Sequence, residues 1–103
     1  MTVPSRRLSD LLQRPLDLDP LITGVTADSR KVAPGALFAA LPGTHVDGRS
    51  FIPRALEQGA AAVLAPDDTD DPAPSIVRTH DVRRAYALAA ARFWGAQPPV
   101  IVA

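Results

Sequence analysis

The sequence predicts an α/β domain, a small mixed sheet flanked by helices. Three features predict it: short apolar runs punctuated by Pro-Gly pairs between residues 21 and 43, a strand-helix-strand succession between residues 36 and 65, and a longer amphipathic helix beginning near residue 82. At 103 residues the chain is one small domain, long enough to bury a single core without disulfides or metal.

Leu8, Leu11 and Leu12 follow helical spacing, and Pro15 ends that short turn by denying the next helical hydrogen bond. The segment reads as a lid or an edge element. Leu21 to Asp28 is rich in Ile, Val and Thr and bounded by Pro20 and by Ser29-Arg30-Lys31, so it reads as one strand with Ser29 at its end. Pro34-Gly35 suits a tight turn, because proline presets its own φ and glycine accepts a positive one. Ala36 to Leu41 follows as a buried strand, which Pro42-Gly43 stops. Ile52, Ala55 and Leu56 share one face of a helix over residues 51–58, with Pro53 tolerable in its first turn and Gly59 placed for a C-terminal cap. Ala60 to Ala65 and Ser75 to Thr79 are short strands on either side of an acidic loop. From Asp81, a candidate N-cap, a helix turns Val82, Ala85, Tyr86, Ala89 and Phe93 inward and Arg83, Arg84 and Arg92 outward, ending near Gly95. The closing run PPVIVA is strand-like with nothing after it to pair, and this end reads as cut.

Charge and composition narrow the function. Eleven Lys and Arg balance eleven Asp and Glu, so no general field draws nucleic acid or an anionic membrane, and any anion must be met locally. The absence of cysteine removes thiol chemistry and thiolate metal sites and fits a reducing compartment. The first 15 residues hold no apolar core of signal-peptide length, and nowhere do about 18 apolar residues run together, so the expected location is the cytoplasm. No window reads G-x-x-x-x-G-K-[ST], and the one lysine, Lys31, follows Arg30, so ATP is not bound in that manner. Asp67, Asp68, Asp70 and Asp71 lack the glycine and distal glutamate of a calcium loop and read as a solvated turn. No catalytic residue and no metal site is expected. Phe93 and Trp94 read as core or interdomain contact, and His80 is assigned no role.

The stretch TADSRKVAPGALFAALPGTHVDGRSFIPRALEQGAAAVLA, residues 26–65, resembles the N-terminal domain of the Mur ligases, cytoplasmic ATP-dependent enzymes that add amino acids to the peptidoglycan precursor. The likeness lies in a strand ending in Asp-Ser-Arg, then Pro-Gly, a Leu-Phe-Ala strand, and Asp-Gly ahead of Phe and a helix. A weaker likeness continues to Trp94. In the family, a strand like VIVA leads into the glycine-rich phosphate loop of a central ATPase domain. The resemblance therefore implies a UDP-substrate-binding domain over residues 1–97, with 98–103 as linker and first strand of the next domain.

What the resemblance implies for function is specific. The domain would hold the uridine diphosphate end of UDP-N-acetylmuramoyl-L-alanyl-D-glutamate, and its partners would be that substrate and its own central ATPase domain. ATP and Mg2+ would belong to the parent enzyme, with no cofactor here. By matching position, Ala27 and Ser29 at the strand end and Thr44, His45 and Val46 in the loop would line the nucleotide site. A uracil ring offers one donor and two acceptors, which a hydroxyl and loop backbone groups match, while a diphosphate needs donors such as amides, the Thr44 hydroxyl or His45. Gly43 and Gly48 would let the backbone approach closely. Arg49 stands where many relatives have histidine, and positions 44–46 vary in the family, which puts recognition on backbone groups more than side chains. ALPGTHVDG and the direct TADSR point to the ligase that adds the third amino acid, diaminopimelate or lysine. The ligase that adds D-alanyl-D-alanine next, and a stand-alone uridine-nucleotide-binding module, are the alternatives. Read without the resemblance, Ser29 is a turn cap, His45 a solvated loop residue, and Asp28 with Arg30 a pair that fixes the loop.

Overall fold

Strands β4 (Ala36–Ala39) and β5 (Ala62–Pro66) are buried at almost every position because both faces of the sheet are covered, which is why they read as unbroken apolar runs. The computed structural model describes residues 5–16, 18–42 and 48–94. Within them β3 (Gly24–Thr26), β4, β5 and β6 (Ile76–Thr79) form a four-stranded sheet in that order, parallel throughout. The period-two geometry of strands divides the apolar run between two cores. Leu37, Ala39, Ala62 and Leu64 face α1 (Leu8–Leu12) and α3 (Val82–Trp94), against Leu8, Leu11, Val82, Ala89 and Phe93. Phe38, Ala40, Val63 and Ala65 face α2 (Ile52–Glu57), against Ile52, Ala55 and Val32. A one-residue slip in register would exchange every one of these side chains between the two cores.

The α/β class holds, with the mixed pairing divided between two sheets. β1 (Arg6–Arg7) and β2 (Leu21–Ile22) make a separate antiparallel ribbon. The expected strand over Leu21 to Asp28 is thus two strands in different sheets. Thr23 is the break: its N–H donates to the Gly35 carbonyl at 3.0 Å and its hydroxyl to the Pro34 carbonyl at 3.2 Å, which turns the chain from the ribbon onto β4.

Helix α1 is core rather than a lid or edge, since Leu8 and Leu11 are each only 1% exposed. It ends at Gln13, in the left-handed region at φ 56°, before Pro15 is reached. Asp19 closes its first turn from a distance, accepting from the Ser9 N–H at 2.8 Å and the Ser9 hydroxyl at 2.7 Å. Those two donors hold the Asp19 carboxyl below its usual range, the backbone donor most strongly.

The local signals further along are met. Gly35 takes φ 90° in the Pro34-Gly35 turn, and Gly59 takes φ 99° past the end of α2. Asp81 caps α3, its Oδ1 accepting from the Arg84 N–H at 3.1 Å. Val82, Ala89 and Phe93 are buried, Ala85 and Tyr86 are half-buried, and Trp94 is exposed with its ring edge-on to Phe93. Arg92, expected to face outward, is only half exposed: it donates to the Leu11 carbonyl at 2.8 Å and ties α3 to α1. The expectations for Gly95 and for residues 98–103 lie outside the described residues.

Candidate functional site

Open α/β sheets bind ligands beyond the carboxyl ends of their strands. Here all four strands run the same way, so Thr26, Ala39, Pro66 and Thr79 end along one edge. Past those ends come the turn after β3, the loop after β4, the acidic turn after β5 and the first turn of α3.

The turn after β3 is fixed by its own side chains. Thr26 Oγ1 accepts from the Asp28 N–H at 3.0 Å, and Asp28 Oδ1 accepts from the Arg30 N–H at 2.9 Å. The Arg30 guanidinium closes a two-pronged pair on the same carboxylate, at 3.1 Å to Oδ1 and 3.0 Å to Oδ2. These side-chain contacts, and after them the Arg30 N–H, hold the Asp28 carboxyl at about 2, below its ordinary 3.8. The structural pairing expected of Asp28 and Arg30 is therefore present. It also takes the cap role that Ser29 could have filled, because Asp28 is the N-cap of the 3₁₀ turn Ser29–Lys31. Ala27 is half-buried directly after β3. Ser29 is 8% exposed, and its carbonyl accepts from Gln58 Nε2 at the end of α2.

The loop after β4 leaves and returns through a narrow neck. The Gly48 N–H donates to the Leu41 carbonyl at 2.9 Å. A Cβ at residue 48 would stand 2.5 Å from the Leu41 oxygen and 2.6 Å from its nitrogen, so glycine alone fits without a shift of backbone. The outgoing stem is held by Arg83 of α3, which donates to the Pro42 carbonyl at 2.6 Å. On the returning stem, Arg49 Nη1 meets Asp68 Oδ1 at 2.9 Å. Thr44, His45 and Val46, with Gly43, lie outside the described residues.

Beside this neck, at the ends of β4, β5 and β6, is a crevice of about 260 Å³. Five of its eight lining residues are polar or charged: Arg49, Asp68, His80, Asp81 and Arg83. Such a lining suits a polar, hydrogen-bonding ligand better than an apolar one. The site residues expected from the sequence thus fall into three groups. Ala27 and Ser29 sit at or just past the β3 end, the three loop residues are undescribed, and the crevice is made by residues the sequence did not single out for binding. Arg83 was assigned only an outward face. The signal that finds it is topological: in a parallel sheet, the start of a helix that follows a strand lies at the carboxyl edge.

Among the described residues no group of three or more His, Asp or Glu side chains converges. The acidic turn sends its members apart, Asp68 to Arg49, Asp67 to within 3.8 Å of His80, and Asp71 Oδ1 to the Ala73 N–H at 3.0 Å. Among the described residues, too, no helix is long and apolar enough to cross a membrane.

A small parallel α/β sheet with a glycine-necked loop and a polar crevice at its carboxyl edge belongs to the class of open α/β domains, in which ligands bind beyond the carboxyl ends of the strands. The chain belongs to the Mur ligase family: the family described as "Mur ligase family, catalytic domain" matches residues 21–94. A Caulobacter vibrioides protein named UDP-N-acetylmuramoyl-L-alanyl-D-glutamate--2,6-diaminopimelate ligase is 60% identical over 100 residues, covering 96% of this chain and 21% of that protein. Its namesake from Agrobacterium fabrum is 46% identical over 82 residues, covering 80% of this chain and 17% of the relative. Among solved structures, a ligase of the same name aligns with a TM-score of 0.73 at 25% identity, over 89% of this chain and 19% of that one. The MurF ligase of Thermotoga maritima in complex with ADP aligns at 0.62 and 28%, over 84% and 18%. The chain thus spans about a fifth of the length of the curated relatives it matches.

Proposed function

We propose that this chain is the UDP-substrate-binding N-terminal domain of a cytoplasmic ligase that adds diaminopimelate to UDP-N-acetylmuramoyl-L-alanyl-D-glutamate in peptidoglycan synthesis. Residues 1–97 form that domain, and 98–103 lead into an ATPase domain that supplies ATP and Mg2+. Ala27, Ser29, Thr44, His45 and Val46 meet the uridine diphosphate end, with loop amides supplying much of the diphosphate recognition. The observation that carries this reading is the shared edge: the strand-end turn with Ser29 and the stems of the 43–47 loop project from the same carboxyl side of a parallel sheet. The name of the 60% identical relative supports the choice of diaminopimelate over lysine and of this ligase over MurF.

The residues of this chain bind and orient; the amide-forming chemistry belongs to the rest of the enzyme. Calorimetric titration of the 103-residue chain with UDP, with UDP-N-acetylmuramoyl-dipeptide and with ATP tests this. Weak binding of both uridine compounds is expected, because one wall of a site offsets little of the association entropy. ATP should be neither bound nor hydrolysed. Heat from ATP but not from UDP would overturn the reading.

A further inference from the structure

The turn that carries Ser29 is shaped from within and placed from outside. Its shape comes from bonds between residues two apart: Thr26 Oγ1 to the Asp28 N–H, and the Asp28 carboxylate to the Arg30 N–H and guanidinium. Bonds of so short a span fix the curve of a turn and leave open where it lies on the rest of the fold. Its placement comes from 29 residues away, where the Gln58 side-chain amide donates Nε2 to the Ser29 carbonyl. In a residue only 8% exposed, a carbonyl that loses its donor has little water to replace it.

Gln58 is itself held firmly. It closes α2, and its own N–H donates to the Arg54 carbonyl at 3.1 Å. The next residue, Gly59, accepts from the Gly35 N–H at 2.9 Å and lies so near Pro34 that a Cβ there would stand 2.9 Å from the Pro34 Cα. Ile52 and Ala55 seat the same helix in the core that takes Val32, the residue after the Ser29 turn. Because α2 runs back from the carboxyl edge to the start of β5, Gln58 reaches Ser29 from the amino side, behind the strand ends where a ligand would sit.

We propose that Gln58 is a positioning residue for the uridine nucleotide, acting through Ser29 by holding its carbonyl and so setting where its hydroxyl stands. The effect on binding rests on the functional reading above, whereas the tie between Gln58 and Ser29 stands apart from any ligand. A group ordered before binding lowers the ordering cost that association must otherwise meet.

The test records the carbon-13 resonance of the Ser29 carbonyl in the unaltered chain and in Gln58→Glu, Gln58→Lys and Glu57→Ala, with UDP then titrated into each. Glutamate keeps the shape of glutamine without a donor, so Gln58→Glu should move that resonance and weaken UDP binding by about two- to tenfold. Gln58→Lys restores a donor and should recover part of both, and Glu57→Ala, exposed at the end of the same helix, should match the unaltered chain. In a Ser29→Ala background, Gln58→Glu should cost little further affinity, because both changes act through one contact. An unmoved Ser29 resonance in Gln58→Glu, or a lowered thermal midpoint with UDP affinity intact, would overturn the assignment. Absence of UDP binding by the unaltered chain at millimolar concentration would overturn the functional reading and the effect on affinity with it, and the Ser29 resonance would still report the tie.

Discussion

At the amino edge of the sheet the strands begin among Ala61, Ala62, Ile76 and Val77, which help line a cavity of about 420 Å³ beneath the segment that carries Leu16 and Leu18. At the carboxyl edge they end beside a crevice of about 260 Å³ lined mainly by charged and polar groups. Along the outer strand β6 arginines are spent on closing backbone: Arg14 donates to the Arg78 carbonyl at 3.1 Å, and Arg78 to the Thr69 and Asp71 carbonyls at 2.9 and 2.7 Å. Covering the outer strand in this way protects an exposed sheet edge. Those at the carboxyl edge grip a loop that leaves the sheet and comes back. The larger cavity is bounded by Leu16, Leu18 and Pro20, and the smaller one sits where ordered polar groups converge.

The comparison breaks most visibly if the amino edge also binds. Ile76→Ala removes a side chain 6% exposed in the core, and should destabilise the chain by about 2–5 kcal/mol in urea denaturation while leaving UDP affinity of the folded protein unchanged. At the opposite edge Gly48→Ala forces a Cβ against Leu41 backbone, for an expected loss of about 1–3 kcal/mol, and unlike Ile76→Ala it should also weaken UDP binding in calorimetry. Ser29→Ala sharpens the contrast further. Because Asp28 already caps the turn, the thermal midpoint should hold while UDP affinity falls by about two- to tenfold, or about 0.5 to 1.5 kcal/mol. His45→Ala should cost less than Ser29→Ala in the same titration.

The smallest expected effect is on pH. The folded Asp28 carboxyl titrates at about 2 against an ordinary 3.8, so its favourable contribution is fully present above the ordinary value and is lost as pH falls toward 2. Denaturation midpoints measured at pH 5, 3 and 2 should fall less steeply in Asp28→Asn than in the unaltered chain. Parallel slopes would remove the Arg30 pair from the account of this turn.

What could be read from the sequence was local. The positive-φ glycines at 35 and 59, the Asp81 cap and the inward face of α3 each depend on residues within one or two turns of the chain, and each is in place. The break at Thr23 was not legible, because a hydrogen bond to Gly35 makes it, and Gly24 inside the run LITGVT is equally compatible with a bulge in a single strand. The split of Leu37, Phe38, Ala39 and Ala40 between two cores is equally silent in a segment apolar at every position. Helix α1 looked peripheral for the same reason, since three leucines do not announce the α3 face they meet. In the candidate site the turn around Ser29 was visible as a motif. Arg49, Asp68 and Arg83 were not, since strand order alone brings residues from three separate segments to one edge.

The central claim is that uridine diphosphate is held at the carboxyl edge of the parallel sheet, and backbone amide shifts during a UDP titration test it most directly. The account predicts shifts confined to residues 27–30, 41–49 and the start of α3, with Ala61, Ala62, Ile76 and Val77 unmoved. Shifts centred on the amino-edge residues, or none at either edge at millimolar UDP, would contradict it.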